Sequence, residues 1–380
     1  MKYKPVKVGV IGCGMISDIY LENLKNKFYI TELIGCSDIV EEKAQRQAEK
    51  YGIRKMTNHE ILNDPEIELI VNLTYASAHY EVNREILNAG KHCYCEKMMC
   101  ITMDEAQELN RIRKEKNLMF ASAPDTFLGA GMQTARYIID IGLIGEPIQA
   151  QATLTRGYHM IKSDDDDAAR KYSVMYEGGG IPYDMGGYYL HELFNIFGPV
   201  ESVCGYAKTR NAERPYLNPR NSKFDDLFTV NTPNTFSAVM QFKNGVFGSM
   251  NISSEYDTGR NEFKIYGTRG ILSIGDPNLF GDSIILEKND MSTQIPLYFP
   301  YKTNSRGIGA ADMAWALRTG RPPRISFEMG YHALEIINAI LACTDDKKVK
   351  LLSTDFERPI PLAADIYSGG AEERSLFIYN

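Results

Sequence analysis

Val8-Gly9-Val10-Ile11-Gly12-Cys13-Gly14-Met15-Ile16-Ser17 is the stretch from which the fold can be predicted. It is an apolar run that enters two glycines in G-x-G spacing. The small residue Ser17 stands at the place of a third glycine, and a helical pattern follows. Strand, glycine turn and helix in this order are typical of a dinucleotide-binding βαβ unit. We expect Gly12 to form the tight turn, Gly14 to let the backbone approach a pyrophosphate, and the helix N-terminus to face the phosphates.

A second apolar run, Leu33-Ile34-Gly35-Cys36-Ser37, ends in Asp38. An acidic residue at about this distance after the glycine turn binds the ribose hydroxyls in such units. Asp38 would repel a 2′-phosphate, and no arginine follows it directly. The sequence therefore favours NAD over NADP as cofactor. A plain strand–turn–helix unit with a solvated acid is the alternative interpretation.

The composition of the 380 residues argues against several classes of protein. The formal net charge of −7 disfavours nucleic acid or an anionic membrane as partner. The seven cysteines lack the spacing of a metal site and suit a reducing compartment. The sequence shows no signal-like or long apolar segment, so we expect a cytoplasmic protein. We expect no metal, because the four aspartates at 164–167 are interpreted as a solvated loop.

Up to about residue 123, strand-like runs alternate with helical patterns. The run at 67–73 is almost continuously apolar, as in a parallel strand that is buried on both sides. Thr102-Met103-Asp104-Glu105 is a capping box that begins a helix. This alternation predicts a doubly wound α/β domain with a parallel sheet, of the Rossmann type, over residues 1–123.

The pattern changes after Pro124, where strand-like runs follow one another without helices between most of them. These runs lie at 148–155, 200–209, 235–242, 246–253, 261–266, 270–274 and 283–287. Asn244-Gly245 between two of them is a hairpin signal. We expect residues 124–380 to form an α+β domain with a large, open, mostly antiparallel sheet. Late helices would pack back on the first domain, and self-association into a dimer or tetramer would cover the free face of the sheet.

Two groups of polar residues could carry chemistry. Cys95-Glu96-Lys97 ends a strand at the carboxyl edge of the first sheet, where α/β folds bind their ligands. Beside a bound nicotinamide, Lys97 could hydrogen-bond a substrate hydroxyl and stabilise the alkoxide as hydride leaves. The alternative is a surface lysine after a strand.

The second group follows Gly178-Gly179-Gly180, where Asp184, Tyr188 and His191 fall at i, i+4 and i+7 of a helical pattern. This spacing places a carboxylate, a phenol and an imidazole on one helix face. Such a set is what a proton relay needs. The alternative is a buried polar face in which Asp184 caps the helix and His191 is a core histidine.

Over nearly its whole length the chain resembles the glucose–fructose oxidoreductase, inositol dehydrogenase and MocA family. The motifs that carry the resemblance are Gly12-Cys13-Gly14-Met15-Ile16-Ser17, Ser37-Asp38-Ile39, Cys95-Glu96-Lys97, Ala123-Pro124-Asp125-Thr126-Phe127-Leu128-Gly129, Ile144-Gly145-Glu146-Pro147, Gly178-Gly179-Gly180 with Asp184 and Gly186, and Tyr266-Gly267-Thr268-Arg269-Gly270. The resemblance implies a Rossmann domain, a C-terminal sheet domain and a tightly held NAD(P). It also implies hydride exchange at a hydroxyl of a sugar, cyclitol or sugar derivative.

The resemblance also implies roles for single positions. Lys97 matches the lysine of the family's Glu-Lys-Pro motif, with Met98 in place of the proline, and Asp184 matches the helix aspartate. Tyr188 stands where the family often has histidine, and His191 stands one turn later. The cofactor positions implied by the resemblance are Gly12, Gly14, Met15, Ile16, Asp38, Ile39, Thr74, His79, Glu96, Lys97 and Asp125.

We therefore hypothesise an NAD-dependent dehydrogenase of a sugar, cyclitol or glycoside, with C3 of a glycoside as one case. Lys97 and either Tyr188 or His191 would bind the reacting hydroxyl, one of the latter two would take its proton, and Asp184 would orient that base. Further substrate-side groups would be Arg156, His159 and Arg306. The alternatives are an NAD-dependent enzyme that cleaves glycosides by transient oxidation and elimination, and a non-catalytic NAD-binding regulator.

Overall fold

Two β-sheets organise the chain. The computed structural model describes residues 3–157, 179–216, 218–256 and 258–362. The first sheet has six parallel strands and the second has nine strands in mixed, mostly antiparallel pairing. The fold class predicted from the sequence, a Rossmann sheet followed by an open sheet domain, is confirmed.

The N-terminal sheet has the strand order β3-β2-β1-β4-β5-β6. Its strands are β1 Val6–Ile11, β2 Thr31–Ser37, β3 Arg54–Lys55, β4 Leu69–Asn72, β5 His92–Cys95 and β6 Phe120–Ser122. The helices between them are α1 Ser17–Asn26, α2 Glu41–Tyr51, α3 Asn58–Asn63, α4 Ala76–Asn88 and α5 Met103–Glu115. All of β4 is buried, because helices cover both faces of a doubly wound sheet. The strand order reverses between β1 and β4, where such folds bind ligands.

The C-terminal sheet has the order β16-β15-β14-β13-β7-β12-β11-β8-β17. Its strands are β7 Pro147–Gly157, β8 Val200–Lys208, β11 Thr235–Phe242, β12 Phe247–Tyr256, β13 Arg260–Gly267, β14 Gly270–Ser273, β15 Ile284–Lys288, β16 Met291–Ile295 and β17 Lys350–Leu351. The remaining strands, β9 Glu213–Pro215 and β10 Leu227–Thr229, form a separate hairpin-like pair. Only β7 and β12 pair in parallel. The predicted Asn244-Gly245 turn joins β11 to β12, with Gly245 at φ +89°.

Helices cover the inner face of this sheet. They are α6 Ala130–Asp140, α7 Gly187–Phe197 and α9 Phe327–Asp346, whereas α8 Ile308–Thr319 contacts β6 of the N-terminal sheet. Every residue of α7 is buried, and α9 contacts β8 on one side and α5 and β6 on the other. The late helices thus join the two sheets into one core, which brings the ends of β1, β4 and β5 close to the ends of β7 and α7. Within the described residues, no helix is long and apolar enough to cross a membrane.

Candidate active site

In the glycine loop after β1, Gly12 and Gly14 are needed for different reasons. Gly12 has φ +104°, and a Cβ on it would lie 2.6 Å from the carbonyl carbon of Leu73 and 2.8 Å from the nitrogen of Thr74. A Cβ on Gly14 would meet nothing within 4 Å. Ser17 is buried and donates from Oγ to the carbonyl of Gly14 at 2.6 Å. Gly12 therefore fits the loop against the end of β4, and Gly14 leaves the space that a pyrophosphate would need.

Asp38 lies beside this loop at the end of β2. Its Oδ2 accepts from the backbone N–H of Cys13 at 2.7 Å, and its Oδ1 accepts from that of Val40 at 2.8 Å. Next to it stand large apolar side chains that are unusually exposed, Met15 at 82% and Ile39 at 91%. An acid among uncovered apolar groups at the carboxyl edge of a parallel sheet fits a bound dinucleotide, whose ribose and bases would cover them.

A cavity of about 350 Å³ continues from the glycine loop into the gap between the two sheets. The residues around it come from the carboxyl ends of the N-terminal strands and from the inner face of the second domain. They are Met15, Ile16, Thr74, Tyr75, Ala76, His79, Glu96, Lys97, Arg156, Asp184, Met185, Tyr188, Asn278 and Arg306. The structure thus brings together most of the positions that the sequence predicted as site residues.

Lys97 and Asp184 form the centre of the cavity wall. Lys97 is the second residue after β5, and its Nζ donates to Asp184 Oδ1 at 2.9 Å. The ammonium lies 5.2 Å from the ring centroid of Tyr188. Burial alone would lower the pKa of Lys97, but Asp184, Tyr188 and Glu96 together raise it above its ordinary value. Lys97 is therefore a protonated donor that faces the cavity.

Two arginines flank this centre. Arg156, near the end of β7, has Nη1 3.9 Å from Asp184 Oδ2. Arg306 is fixed by amide oxygens, with Nη2 2.5 Å from Asn278 Oδ1 and Nη1 3.0 Å from Asn304 Oδ1. Its charge also interacts with the phenol of Tyr188. The phenol of Tyr188 therefore stands between two cations, Lys97 and Arg306.

Glu96 and His79 support the cofactor side of the cavity. Glu96 Oε1 accepts from the hydroxyl of Tyr20 at 2.5 Å. The ring of His79 lies between two carbonyls, with Nδ1 2.7 Å from Met98 O and Nε2 3.0 Å from Thr74 O. Burial lowers the pKa of His79, so a neutral ring donates to one carbonyl at a time. His79 thereby links the loop after β4 to the loop that carries Lys97.

Asp125 lies behind the cavity rather than on its wall. Its Oδ2 accepts from the backbone N–H groups of Gly307 at 2.9 Å and Gly309 at 3.0 Å, where α8 begins. Burial raises its pKa to about 6, although these two N–H groups and Arg306 act in the opposite direction. The sequence predicted that Asp125 lies next to the nicotinamide. In the structure its carboxylate instead accepts from backbone N–H groups at the N-terminus of α8, which have no partner within the helix.

His191 does not reach the cavity. It is fully buried, its Nδ1 lies 2.9 Å from the carbonyl of Gly187, and its ring packs against Phe127 and Phe194. Burial lowers its pKa to about 4. The side chain folds back on the preceding turn, so His191 matches the core-histidine interpretation. His159 lies outside the described residues.

The predicted common helix face is also altered. A π-helical turn, Pro182–Gly186, precedes α7 and holds Asp184. The wider turn changes the angle between Asp184 and Tyr188 from that of a regular α-helix, yet both still line the cavity.

Sequence reasoning missed Asn278, which fixes Arg306 from the loop after β14, because no motif marks it. The described residues contain no cluster of His, Cys, Asp and Glu suited to a metal ion.

Comparisons with known proteins agree with this architecture. Residues 6–123 match a family model described as "Oxidoreductase family, NAD-binding Rossmann fold", and residues 132–273 match the GFO/IDH/MocA C-terminal domain. An uncharacterized oxidoreductase of Schizosaccharomyces pombe is 32% identical over 216 residues, which cover 56% of this chain and 57% of that protein. The chain therefore matches little more than half the length of that relative.

A myo-inositol 2-dehydrogenase of Thermotoga maritima is 22% identical over 354 residues, which cover 91% of this chain and 98% of that enzyme. Among solved structures, levoglucosan dehydrogenase in complex with NADH and L-sorbose superposes with a TM-score of 0.77 at 20% identity. That match covers 93% of this chain and 100% of the other. The structural likeness shows a shared fold.

Proposed function

Because the chain belongs to the GFO/IDH/MocA family of oxidoreductases, we propose that it is an NAD-dependent dehydrogenase of a sugar, cyclitol or glycoside. The observation that carries the proposal is the Lys97–Asp184–Tyr188 cluster in the wall of the cavity next to the glycine loop. A protonated lysine, a carboxylate and a phenol in a partly enclosed site are suited to the oxidation of an alcohol.

Each residue of the cluster takes one role. Lys97 donates a hydrogen bond to the reacting hydroxyl and stabilises the negative charge that develops on its oxygen. Tyr188 takes the hydroxyl proton, and the cations Lys97 and Arg306 lie beside its phenol. Asp184 fixes the direction of the Lys97 ammonium. Bound NAD would supply the hydride acceptor.

Asp38 supports NAD rather than NADP as the cofactor. Its carboxylate stands beside the glycine loop, where a 2′-phosphate would meet a negative charge. Titration calorimetry of the purified protein, after release of any nicotinamide that it carries, should give at least tenfold tighter binding of NAD than of NADP. Tighter binding of NADP would contradict the role of Asp38, and no binding of either would contradict the dehydrogenase.

A screen of sugars, inositols and glycosides for NADH formation tests the reaction. On a confirmed substrate, Lys97→Met and Asp184→Asn should each lower kcat at least about 10²-fold, because the first removes the donor at the reacting oxygen and the second removes the carboxylate that orients this donor. The control is Lys55→Met, which removes an exposed lysine that pairs with Glu41 on the protein surface. Unchanged turnover in both site variants would refute the proposal. A glycoside consumed without net NADH would instead indicate cleavage by transient oxidation.

A further inference from the structure

We propose that the substrate carries a carboxylate, and that Arg156 binds it. This inference rests on the proposed dehydrogenase function and names the class of its substrate as an acidic sugar or cyclitol, such as a uronic or aldonic acid. Three observations support it: the guanidinium of Arg156 that faces the cavity, the charges on the cavity wall, and the position of Arg156 relative to Lys97.

Arg156 faces the cavity, and its guanidinium forms no hydrogen bond with another residue of the described ranges. Its closest ionic contact among the described residues is Asp184 Oδ2 at 3.9 Å, which is beyond hydrogen-bond distance. Asp184 already accepts from Lys97 at 2.9 Å through its other oxygen. The side chain of Arg156 is 34% exposed. A guanidinium has five N–H donors in a planar fork that matches a carboxylate in bidentate geometry.

The ionisable groups that line the cavity favour an anionic ligand. Lys97, Arg156 and Arg306 are cations, and only Glu96 and Asp184 are carboxylates. In the described part of the chain, Arg306 has no carboxylate within ion-pair distance and is held by neutral amide oxygens instead. A partly buried cation without an anion is costly. A substrate carboxylate would balance this excess of positive charge.

The short distance between Lys97 and Arg156 allows one substrate molecule to carry both the reacting hydroxyl and the carboxylate. Lys97 and Arg156 contact the two oxygens of one carboxylate, that of Asp184. A small ring whose hydroxyl lies at Lys97 can therefore extend an acidic group to Arg156. With a neutral polyol, Asp184 at 3.9 Å would remain the closest ionic contact of the guanidinium among the described residues.

Binding to the preformed protein–NADH complex tests the inference separately from turnover. Calorimetry would compare matched acid and neutral compounds: D-glucuronate with D-glucose, D-galacturonate with D-galactose, D-gluconate with D-glucitol, and the achiral pair glycolate with ethylene glycol. We expect the acid to bind at least tenfold tighter in one or more pairs. Arg156→Gln should reduce this ratio to about one without changing NADH affinity. Arg260→Gln, which alters an exposed arginine on the neighbouring strand, should keep the ratio.

Three results would overturn the inference. One is an acid that binds no tighter than its neutral partner in every pair, glycolate included. Another is an acid preference that persists in Arg156→Gln. The third is tighter binding of D-glucose 6-phosphate than of every carboxylate. Failure to form the NADH complex at all would instead refute the proposed function, so the two failures are distinguishable.

Discussion

At the scale of single residues, Tyr188 and His191 show how position on one helix separates a side chain that lines the cavity from one that packs in the core. Both are buried. Tyr188 faces Lys97 and Arg306 across the cavity wall, whereas His191 hydrogen-bonds its own helix and lies between two phenylalanines. A neutral imidazole without access to the cavity cannot take a substrate proton. The sequence left the choice between them open, and the geometry favours Tyr188.

Tyr188→Phe should lower kcat for alcohol oxidation by about 10²- to 10⁴-fold, the usual contribution of a general base. Steady-state kinetics on a confirmed substrate measures this loss. His191→Gln should lower the melting temperature instead, because it disturbs buried packing. Unchanged kcat in Tyr188→Phe would contradict this role.

Asp125 gives a prediction about stability. The pKa of its carboxyl is about 6 in the folded protein, above the ordinary value of 3.8, chiefly because it is buried. The folded state therefore holds the proton longer than the unfolded state does. The resulting stability is fully present below pH 3.8 and is lost as pH rises through about 6. Its size is up to about 3 kcal/mol.

Asp125→Asn should remove this pH dependence, because the amide oxygen can still accept from Gly307 and Gly309 without carrying a charge. Urea unfolding between pH 4 and pH 7.5 measures the free energy of unfolding of both proteins. The variant should gain stability relative to the wild type as pH rises. If the two pH curves run parallel, the carboxyl does not titrate in this range.

At the scale of elements, the glycine loop predicts opposite effects for two similar substitutions. In Gly12→Ala a methyl group would collide with the Leu73–Thr74 backbone and sit at a positive φ, so the melting temperature should fall by several degrees. In Gly14→Ala the methyl group has free space, so the melting temperature should stay within about a degree. NAD affinity should nevertheless fall at least tenfold, because the methyl group occupies the place of the pyrophosphate. Thermal unfolding and NAD calorimetry on both variants test this. An equal loss of stability in Gly12→Ala and Gly14→Ala would contradict these separate roles of the two glycines.

The sequence predicted most helices and strands because residues close to one another in the chain form their caps and turns. The capping box at Thr102 and Glu105 forms both of its hydrogen bonds, and the Asn244-Gly245 turn joins the strands it was expected to join. The π-helical turn at Pro182–Gly186 was missed, because an extra residue in one turn leaves no mark on an amphipathic pattern. The short edge strands β16 and β17 were missed as well, since pairing with a neighbour rather than their own sequence forms them.

At the scale of the whole molecule, the cavity depends on contacts between distant segments. The position of Lys97 at a carboxyl strand end could be predicted from the order of strands and helices. The roles of Asp125 and Arg306 could not, because their partners Gly307, Gly309 and Asn278 come from loops distant in the sequence. Sequence reasoning therefore identified Lys97 and Asp184, which the structure places 2.9 Å apart, and long-range packing decides which neighbouring side chains line the cavity.

The outer face of the nine-stranded sheet predicts how copies of the chain associate. The outward residues at its centre, on β7, β11 and β12, are uncharged: Gln149, Gln151, Thr153, Ser237, Val239, Gln241, Phe247, Ser249 and Asn251. Charged side chains stand farther out, as at Lys208 and Glu262. An uncharged centre with a charged rim is typical of a protein interface, so we expect a dimer or tetramer formed through this face.

Replacing Val239 and Phe247, exposed by 58% and 52%, with aspartate should shift the protein to monomers, because each copy would then bury like charges against the other. Size-exclusion chromatography with light scattering measures the mass of the wild type and of the double variant Val239→Asp, Phe247→Asp. Tyr29→Asp is the matched control, since it places the same charge at a 56% exposed aromatic residue of the N-terminal domain. That variant should keep the wild-type mass. A monomeric wild type, or a double variant that remains associated, would show that this face is not the interface, and the broad uncharged surface would then need another partner to cover it.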